Sequence, residues 1–220
     1  GCTLKLRFVV VALLPYGLAH AEPRYTQNDF GGVGLLQTPT ARMAPAGELS
    51  LNANRTDPYS RYSLSLQPLD WLEGTFRYTA ITNRPYGPES FSGNQSYKDK
   101  SVDVKARLLK ESKWLPEVAL GFRDVGGTGL FSSEFFVANK RYKDLDFSLG
   151  IAWGYIGNRG DFKNPLGYLD DRFDKRPFNT TAGTAGEVST SSYFRGRPGL
   201  FGGVGYQTPW DPLSLKIEFD

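Results

Sequence analysis

Aspartates and aromatic residues recur together in the stretch 154–199. The aspartates are Asp161, Asp170, Asp171 and Asp174, and the rings include Phe162, Tyr168, Phe173, Phe178, Tyr193 and Phe194. Aromatic rings can stack on pyranose sugars, and carboxylates can transfer protons in glycoside chemistry. We therefore consider Asp170, Asp171, Asp174, Tyr193 and Phe194 as candidate glycan-contact residues. A polar, aromatic surface loop without any ligand would have the same composition, and the spacing lacks the glycine of a known calcium loop.

Charged residues also recur at alternate positions of predicted strands. They are Arg77, Asp103, Lys105, Arg107, Arg123 and Glu134, with Glu218 on the same predicted face. Charges that line the lumen of a β-barrel could form a salt-bridged plug, or a charged path that guides an acidic polysaccharide. Alternatively, they simply keep a water-filled interior polar.

Several classes of chemistry are excluded by residue usage. The only cysteine is Cys2 and the only histidine is His20. If the N-terminus is removed as predicted below, disulfides, Cys/His metal sites and Ser-His or Cys-His nucleophiles are all ruled out. The net charge of +3, without a Lys/Arg run, does not favour nucleic acid. We expect no cofactor, no bound metal and no enzymatic activity.

Residues 1–21 have the pattern of a signal peptide. Lys5 and Arg7 precede an apolar run, and Ala19 and Ala21 give the small-x-small pattern that a signal peptidase recognises. Gly1-Cys2 resembles the end of a lipoprotein cleavage box, but the apolar run follows the cysteine instead of preceding it. We predict a signal peptide at 1–21, an irregular Gly/Pro-rich segment at 22–46, and the N-terminal part of a β-barrel at 47–220.

Nine segments after Gly47 alternate between apolar and polar residues, the period of a β-strand. They are 48–55, 61–67, 72–82, 101–109, 117–124, 131–139, 145–153, 200–207 and 213–220. Two long connections, 83–100 and 154–199, lie on one side, and short turns lie on the other. Short turns at one rim and long loops at the opposite rim are typical of outer-membrane barrels.

The tryptophans follow the same asymmetry. Trp71, Trp114 and Trp210 fall in short connections, and Trp153 ends a strand at the opposite rim, as two interfacial girdles would require. The sequence thus predicts an all-β, antiparallel transmembrane β-barrel of the outer membrane. An unpaired ninth strand cannot close such a barrel, so we expect it to be incomplete in this chain. A soluble β-sandwich with a wet polar face is the alternative.

Motifs spread over nearly all of the chain after residue 21 resemble the YjbH-like outer-membrane family encoded with exopolysaccharide and capsule secretion systems. The resemblance is carried by residues 34–42, 67–71, 120–124, 157–162, 193–196 and 201–210. It implies an outer-membrane component of exopolysaccharide secretion or assembly, acting as a conduit or scaffold. The expected partners are outer-membrane lipid, polysaccharide and other secretion proteins. A general porin-like channel, or a glycan-binding or glycan-processing surface protein that uses the 154–199 loop, remains open.

Overall fold

The computed structural model describes residues 7–12, 25–85, 96–126, 129, 131–177, 190–208 and 213–220. Ten strands form one antiparallel sheet: β1 Arg7–Ala12, β2 Leu49–Thr56, β3 Tyr59–Leu69, β4 Leu72–Pro85, β5 Ser96–Leu109, β6 Glu117–Arg123, β7 Ser133–Tyr142, β8 Leu145–Gly154, β9 Gly199–Gln207 and β10 Leu213–Phe219. Three 3-10 turns, Pro165–Tyr168, Asp171–Phe173 and Thr190–Ser192, lie between β8 and β9. The predicted all-β class is confirmed, and β2 to β10 are the nine predicted strands.

The strand order is β1-β10-β9-β8-β7-β6-β5-β4-β3-β2, so each strand from β2 to β10 pairs with its neighbour in sequence. Within the described residues, β1 and β2 are the two edges, and this part of the chain is an open sheet instead of a closed barrel. No helix in the described part is long and apolar enough to cross a membrane.

Strand β1 comes from the apolar run of the predicted signal peptide. It pairs with β10 from Arg7↔Glu218 to Ala12↔Leu213. An open sheet edge presents unpaired N–H and C=O groups, which any extended segment can satisfy. Removal of residues 1–21 stays a prediction, and it would return β10 to the edge.

The two faces of the sheet have opposite chemistry, and the polar one is buried. On β3, Arg61, Ser63 and Gln67 are buried, whereas Tyr62 is 57% exposed and Leu66 is 49% exposed. Because directly paired residues of neighbouring strands point to the same face, the strand pairing assigns the residues of the other strands to one face or the other. The "polar face" carries Ser63, Arg77, Lys105, Arg123 and Glu218, and the "outer face" carries Leu51, Leu66, Phe76, Leu149 and Ile217. Sheets of soluble proteins usually bury their apolar face, whereas here the polar face is the buried one.

Residues 25–46, the "interior segment", cover the polar face. This segment has only two isolated β-bridges, Gln27↔Val33 and Gly34↔Pro39. Its Phe30 packs with Ile81 and Phe131. Towards its other end, Ala41 lies in a second apolar cluster with Ala119, Phe135, Val137, Ala152, Ile156 and Phe201. The chain thus folds its own irregular segment against the strands that follow it.

The register of β7 differs from the one predicted by alternation. Glu134 pairs with Phe122 on β6 and Trp153 on β8, which places it on the outer face and not with the charges of the polar face. Its neighbours Phe135 and Val137 turn inward to meet Ala41. The ring of Phe135 lies over Gly121, where an added Cβ would come within 2.1 Å of it. An apolar patch of the interior segment therefore decides which face of β7 is buried.

The two long connections, β4–β5 and β8–β9, lie at the same end of the sheet, as predicted, although the two-residue β2–β3 turn shares that end. Trp71 and Trp114 are exposed in the short β3–β4 and β5–β6 connections. Trp153, however, is only 4% exposed, because the ring of Phe194 covers it at a centroid distance of 5.3 Å. Trp210 lies outside the described residues. Among the residues described, exposed tryptophans therefore lie at the short-turn end of the sheet only.

Candidate functional site: the polar face and the interior segment

Lys105 of β5 is the central anchor of the interior segment. Its Nζ donates to the carbonyl oxygens of Val33 at 3.1 Å, Thr40 at 3.0 Å and Arg42 at 2.9 Å. The same Nζ lies 3.5 Å from Glu73 Oε2, which accepts the Val33 N–H at 3.1 Å. An ammonium has three protons to donate, and those of Lys105 all go to backbone carbonyls of the interior segment. Lys105 thus links Val33 to the stretch from Thr40 to Arg42.

Arg77 of β4 forms a bidentate ion pair with Asp103 of β5. The NH1–Oδ2 distance is 2.6 Å and the NH2–Oδ1 distance is 3.1 Å, and NH1 also donates to the Phe30 carbonyl at 3.1 Å. Arg77 is fully buried. A buried arginine needs such compensation because removing an uncompensated charge from water is very costly.

Phe30 lies at the far end of the interior segment, within a cage of three guanidinium groups. The guanidinium carbons of Arg61, Arg77 and Arg123 lie 4.5, 4.9 and 4.2 Å from its ring centroid. The negative faces of an aromatic ring attract cations, and desolvation strengthens this attraction. Arg123 also donates to the Gln37 carbonyl at 2.9 Å. Arg77 and Arg123, which the sequence predicts to line a lumen, therefore pack against a phenylalanine of the interior segment.

Glu218 of β10 accepts hydrogen bonds from a turn of the interior segment. Its Oε2 accepts the backbone N–H groups of Leu36 and Gln37 at 3.0 Å and of Thr38 at 3.2 Å, and the Thr38 hydroxyl at 2.9 Å. Consecutive backbone N–H groups that converge on one carboxylate form an anion-binding nest. On the same strand, Lys216 donates to the Leu35 carbonyl at 3.1 Å.

The segment leaves the polar face at Arg42, near the short turns. The Arg42 guanidinium binds Asp146 at 2.8 and 3.0 Å and Glu111 at 2.6 Å, and lies 3.5 Å from Glu117. At the same rim, Arg107 reaches the exposed Asp70 at 3.0 Å. Both ends of the segment are thus held by charged side chains.

Two carboxyl groups outside the strands have a raised pKa. Burial raises the pKa of Asp29 in the interior segment, although Arg61 acts in the opposite direction. Burial, and then the charge of Asp99, raise the pKa of Asp124 to about 6. Asp124 follows the last residue of β6 and accepts the Phe131 N–H at 3.0 Å.

Of the candidate aspartates in the 154–199 loop, Asp170 is engaged in the structure of the loop itself. Asp170 accepts the Arg172 N–H at 2.9 Å and pairs with the guanidinium at 2.6 Å, and these hydrogen bonds lower its pKa to about 2. Asp174 is the C-cap of the same 3-10 turn, and Asp171 is exposed at its start. One aspartate is therefore already committed to a cap and an ion pair.

Tyr193 and Phe194 contact the outer face of the sheet. Tyr193 lies 5.4 Å from Phe122, and Phe194 lies 5.8 Å from Phe122 and 6.0 Å from Phe136, measured between ring centroids. Nearby, Arg176 of the loop binds Glu134 through two hydrogen bonds of 2.7 and 2.9 Å. This part of the loop therefore covers the outer face at the end of the sheet where the long connections lie. That cover explains why Glu134 is buried.

Sequence reasoning missed Glu73, Arg61, Arg42 and Asn139 as members of the site. Glu73 shares the alternation of Thr75 and Arg77, so the period-2 pattern could have identified it. Asn139 accepts the Ala41 N–H at 2.8 Å through Oδ1. No sequence signal marks the interior segment as their partner, because most of its contacts use backbone atoms. The described residues contain no cluster of histidine, cysteine or acidic side chains that could hold a metal ion.

Comparison with known proteins gives two matches. The YjbH family model, described as "Exopolysaccharide biosynthesis protein YbjH", matches residues 26–220. An Escherichia coli (strain K12) protein named "Uncharacterized lipoprotein YjbH" is 51% identical over 219 residues, which is 99% of this chain and 31% of the relative. The chain thus spans about 31% of the length of that relative. No solved structure matches this chain.

Proposed function

This chain belongs to the YjbH family of exopolysaccharide biosynthesis proteins, and on that premise we propose that it is part of an outer-membrane β-barrel that serves exopolysaccharide secretion or assembly. The family resemblance expected from the motifs is confirmed. The role proposed is that of a plugged scaffold or gated conduit, with the interior segment as the plug. Its partners would be outer-membrane lipid, polysaccharide and other proteins of the secretion system.

The observation that carries the membrane proposal is the inverted burial of the sheet. Leu51 is 81% exposed, and leucine, phenylalanine and isoleucine recur over the outer face, whereas arginine, lysine and glutamate are buried on the other face. Transmembrane barrels have apolar lipid-facing residues that alternate with polar interior ones. A water-exposed apolar surface of this extent would favour aggregation, so lipid is the environment that fits it.

The relative's name says that it is a lipoprotein, which supports a membrane-associated, exported protein. A lipid anchor and membrane-spanning strands are separate means of attachment. We propose that the strands are sufficient. Replacing Cys2 by serine in the full-length protein tests this, because the variant should remain in outer membranes after carbonate extraction and should shift in gel mobility on boiling.

Single cysteines in that Cys2→Ser background distinguish lipid from water at the outer face. Leu51 is 81% exposed on the outer face, and Trp114 is 83% exposed in a short turn. In intact membranes, a water-soluble maleimide should label Trp114→Cys and spare Leu51→Cys, while both should react after unfolding in detergent. Equal labelling of both in membranes would mean that the outer face meets water, and the membrane proposal would be wrong.

The filled polar face supports a plug more than an open pore. Lys105, Arg77 and Glu218 all hold the interior segment, which occupies the space a solute would need. The full-length protein should therefore show low conductance in a planar bilayer, and deletion of residues 26–42 should raise it. Lys105→Met, which leaves the segment in the chain, should produce intermittent openings. A large, steady conductance of the unaltered protein would favour the porin-like alternative.

We propose no catalytic role for the chain. The engagement of Asp170 with Arg172 supports this, because a capped and paired carboxylate is not free to transfer a proton. The double variant Asp170→Asn, Asp171→Asn should leave polymer length and glycan binding unchanged. A change in polymer length would support the glycan-processing alternative.

A further inference from the structure

The outermost of the nine strands from β2 to β10 run in the same direction. Every strand pair between β2 and β10 is antiparallel, and there are eight such pairs, so these two strands are parallel to each other. Bacterial single-chain barrels consist of antiparallel pairs and have an even number of strands. Direct pairing of β2 with β10 would break both rules, whereas one added strand between them would satisfy both.

The interior segment links β2 to β10. Asn54 of β2 donates from Nδ2 to Oδ1 of Asp29 at 2.7 Å. The Asp29 N–H donates to the Leu36 carbonyl at 2.7 Å, and the Leu36 N–H donates to Glu218 of β10 at 3.0 Å. Two residues of the segment, joined by one backbone hydrogen bond, therefore separate a side chain of β2 from a side chain of β10.

A second link lies beside the first. Asn52 of β2 donates to the Asn28 carbonyl at 3.1 Å, and a Cβ added at Gly34 would come within 2.5 Å of the Asn28 side-chain nitrogen. The Gly34 carbonyl accepts a hydrogen bond from Lys216 of β10 at 3.4 Å. Between the two links, β2 advances from residue 52 to 54 and β10 from residue 216 to 218. This is the relation expected of two parallel strands that face each other across a narrow gap, which we call the seam.

The links limit the width of the seam. Residues of adjacent extended segments that share a backbone hydrogen bond have Cα atoms about 5 Å apart. Strand side chains stand roughly perpendicular to the sheet, so the side chains at the two ends of a link add little sideways reach. Strands lie about 4.8 Å apart, so one missing strand leaves a gap of about 10 Å and three leave about 19 Å. The width of the seam therefore fits one strand.

Strand β1 shows that an extended segment can lie beside β10, and its sequence shows what a permanent occupant requires. Phe8 pairs with Ile217 on the outer face, and Val9 pairs with Lys216 on the polar face. Barrel strands place polar residues inward, so an apolar valine opposite Lys216 does not follow the pattern. A matching occupant has apolar residues opposite Ile217 and polar residues opposite Lys216.

We propose that one antiparallel strand, from the part of the full-length protein that follows residue 220, fills the seam and pairs with both β10 and β2. Strands β2 to β10 all pair with their neighbours in sequence, so the strand after β10 has β10 as its expected partner. The chain spans 31% of the length of its relative, so a protein of that size has ample further sequence. Since one strand completes the wall, the rest of such a protein forms a unit outside it. The inference rests on the proposed barrel and identifies the segment that closes it.

Cysteine pairs measure the width of the seam in the full-length Cys2→Ser protein in membranes. Ala53→Cys with Ile217→Cys forms the seam pair, on the outer face beside the two links. Within the sheet, Ala53 and Tyr78 have one strand between them, β3, whereas Lys140 and Ile217 have two, β8 and β9. Cysteine pairs at these positions serve as rulers of about 10 Å and about 14 Å.

Bifunctional methanethiosulfonates of increasing length are applied, and mass spectrometry identifies each crosslinked pair of peptides. The seam pair should require the same linker length as the one-strand ruler and a shorter one than the two-strand ruler. The inference is wrong if the seam pair requires a linker as long as that of the two-strand ruler, or a longer one. It is also wrong if the seam cysteines form a direct disulfide, because no strand would then separate β2 from β10.

A photo-crosslinking residue identifies the occupant. In the full-length protein, p-benzoylphenylalanine at Ala53 should attach to a peptide from beyond residue 220, whereas the same residue at Leu149, on the central strand β8, should attach to β7, β9 or lipid. The inference is wrong if the crosslinker at Ala53 attaches to residues 7–12, to an isotope-labelled second copy, or to nothing but β3 and lipid. Because membrane insertion is measured separately by cysteine labelling, a protein that inserts and fails these tests loses only the closing strand.

Discussion

Replacement of Lys105 by methionine should release the interior segment without unfolding the sheet. Methionine keeps much of the length of the side chain but removes the charge and the three bonds to the Val33, Thr40 and Arg42 carbonyls. It also leaves the buried Glu73 carboxylate without its cation, which lies 3.5 Å away in the native protein. Breaking one partner of a buried pair costs about 3–5 kcal/mol.

That free energy should appear as a change in local opening. A cost of about 3 kcal/mol corresponds to an opening equilibrium roughly a hundredfold more favourable. Hydrogen exchange of a peptide spanning residues 26–43, measured by mass spectrometry on the full-length protein, should therefore accelerate about a hundredfold. Peptides from β7 and β8 should change much less, because the variant does not touch their pairing.

Two further variants isolate the cause. Glu73→Gln added to Lys105→Met should recover about 1–2 kcal/mol, since it removes the orphaned charge and keeps an acceptor for the Val33 N–H. Lys100→Met lies on the same strand, on the exposed face, and should alter exchange by no more than about threefold. If the 26–43 peptide exchanges at the same rate in the Lys105→Met variant as in the native protein, Lys105 does not anchor the segment and the plug proposal loses its main support.

Other consequences concern packing, pH and the outer loop. Gly203→Ala should lower the urea midpoint because its Cβ would come within 2.1 Å of a β10 carbonyl, whereas Gly205→Ala, with open space, should leave it unchanged. Since the pKa of Asp124 rises from 3.8 to about 6 on folding, its contribution to stability is full below pH 3.8 and lost as pH rises through 6. The stability of Asp124→Asn relative to the native protein should therefore increase between pH 4 and 7 in urea titrations. Arg176→Ala removes the cation from Glu134, which is 1% exposed, so proteases added to intact cells should cleave the 154–199 loop faster.

The alternation of residue types was sufficient to predict the strands. All nine predicted segments correspond to observed strands, and Trp71 marks the observed β3–β4 turn. Strand prediction succeeded because a period of two is a local property of backbone geometry. The polar character of Arg77, Asp103, Lys105 and Arg123 was also evident from sequence.

The face that β7 presents could not be predicted in the same way. Phe135, Phe136 and Val137 are consecutive and apolar, so alternation gives no register at this point. Burial against Ala41, together with the Arg176 partner of Glu134, decides it. Both determinants come from segments far away in the chain, which a local pattern does not include.

Two stretches of the chain, residues 30–39 and 201–209, have similar sequences and different structures. Both begin with Phe-Gly-Gly-Val-Gly, but the second forms β9 and the first lies in the interior segment with only isolated bridges. Their conformations differ because β9 has strand neighbours on both sides, whereas Phe30 is surrounded by arginines.

By itself, the sequence determined that this chain is an antiparallel sheet with one apolar and one charged face. The alternation of apolar and polar residues with a period of two is visible in the residue types alone. Only the tertiary structure decided that the charged face is occupied by the chain's own segment. Lysine and glutamate reach backbone carbonyl and amide groups there, and every residue type carries a backbone carbonyl. A charge that binds backbone has no partner that a sequence can reveal.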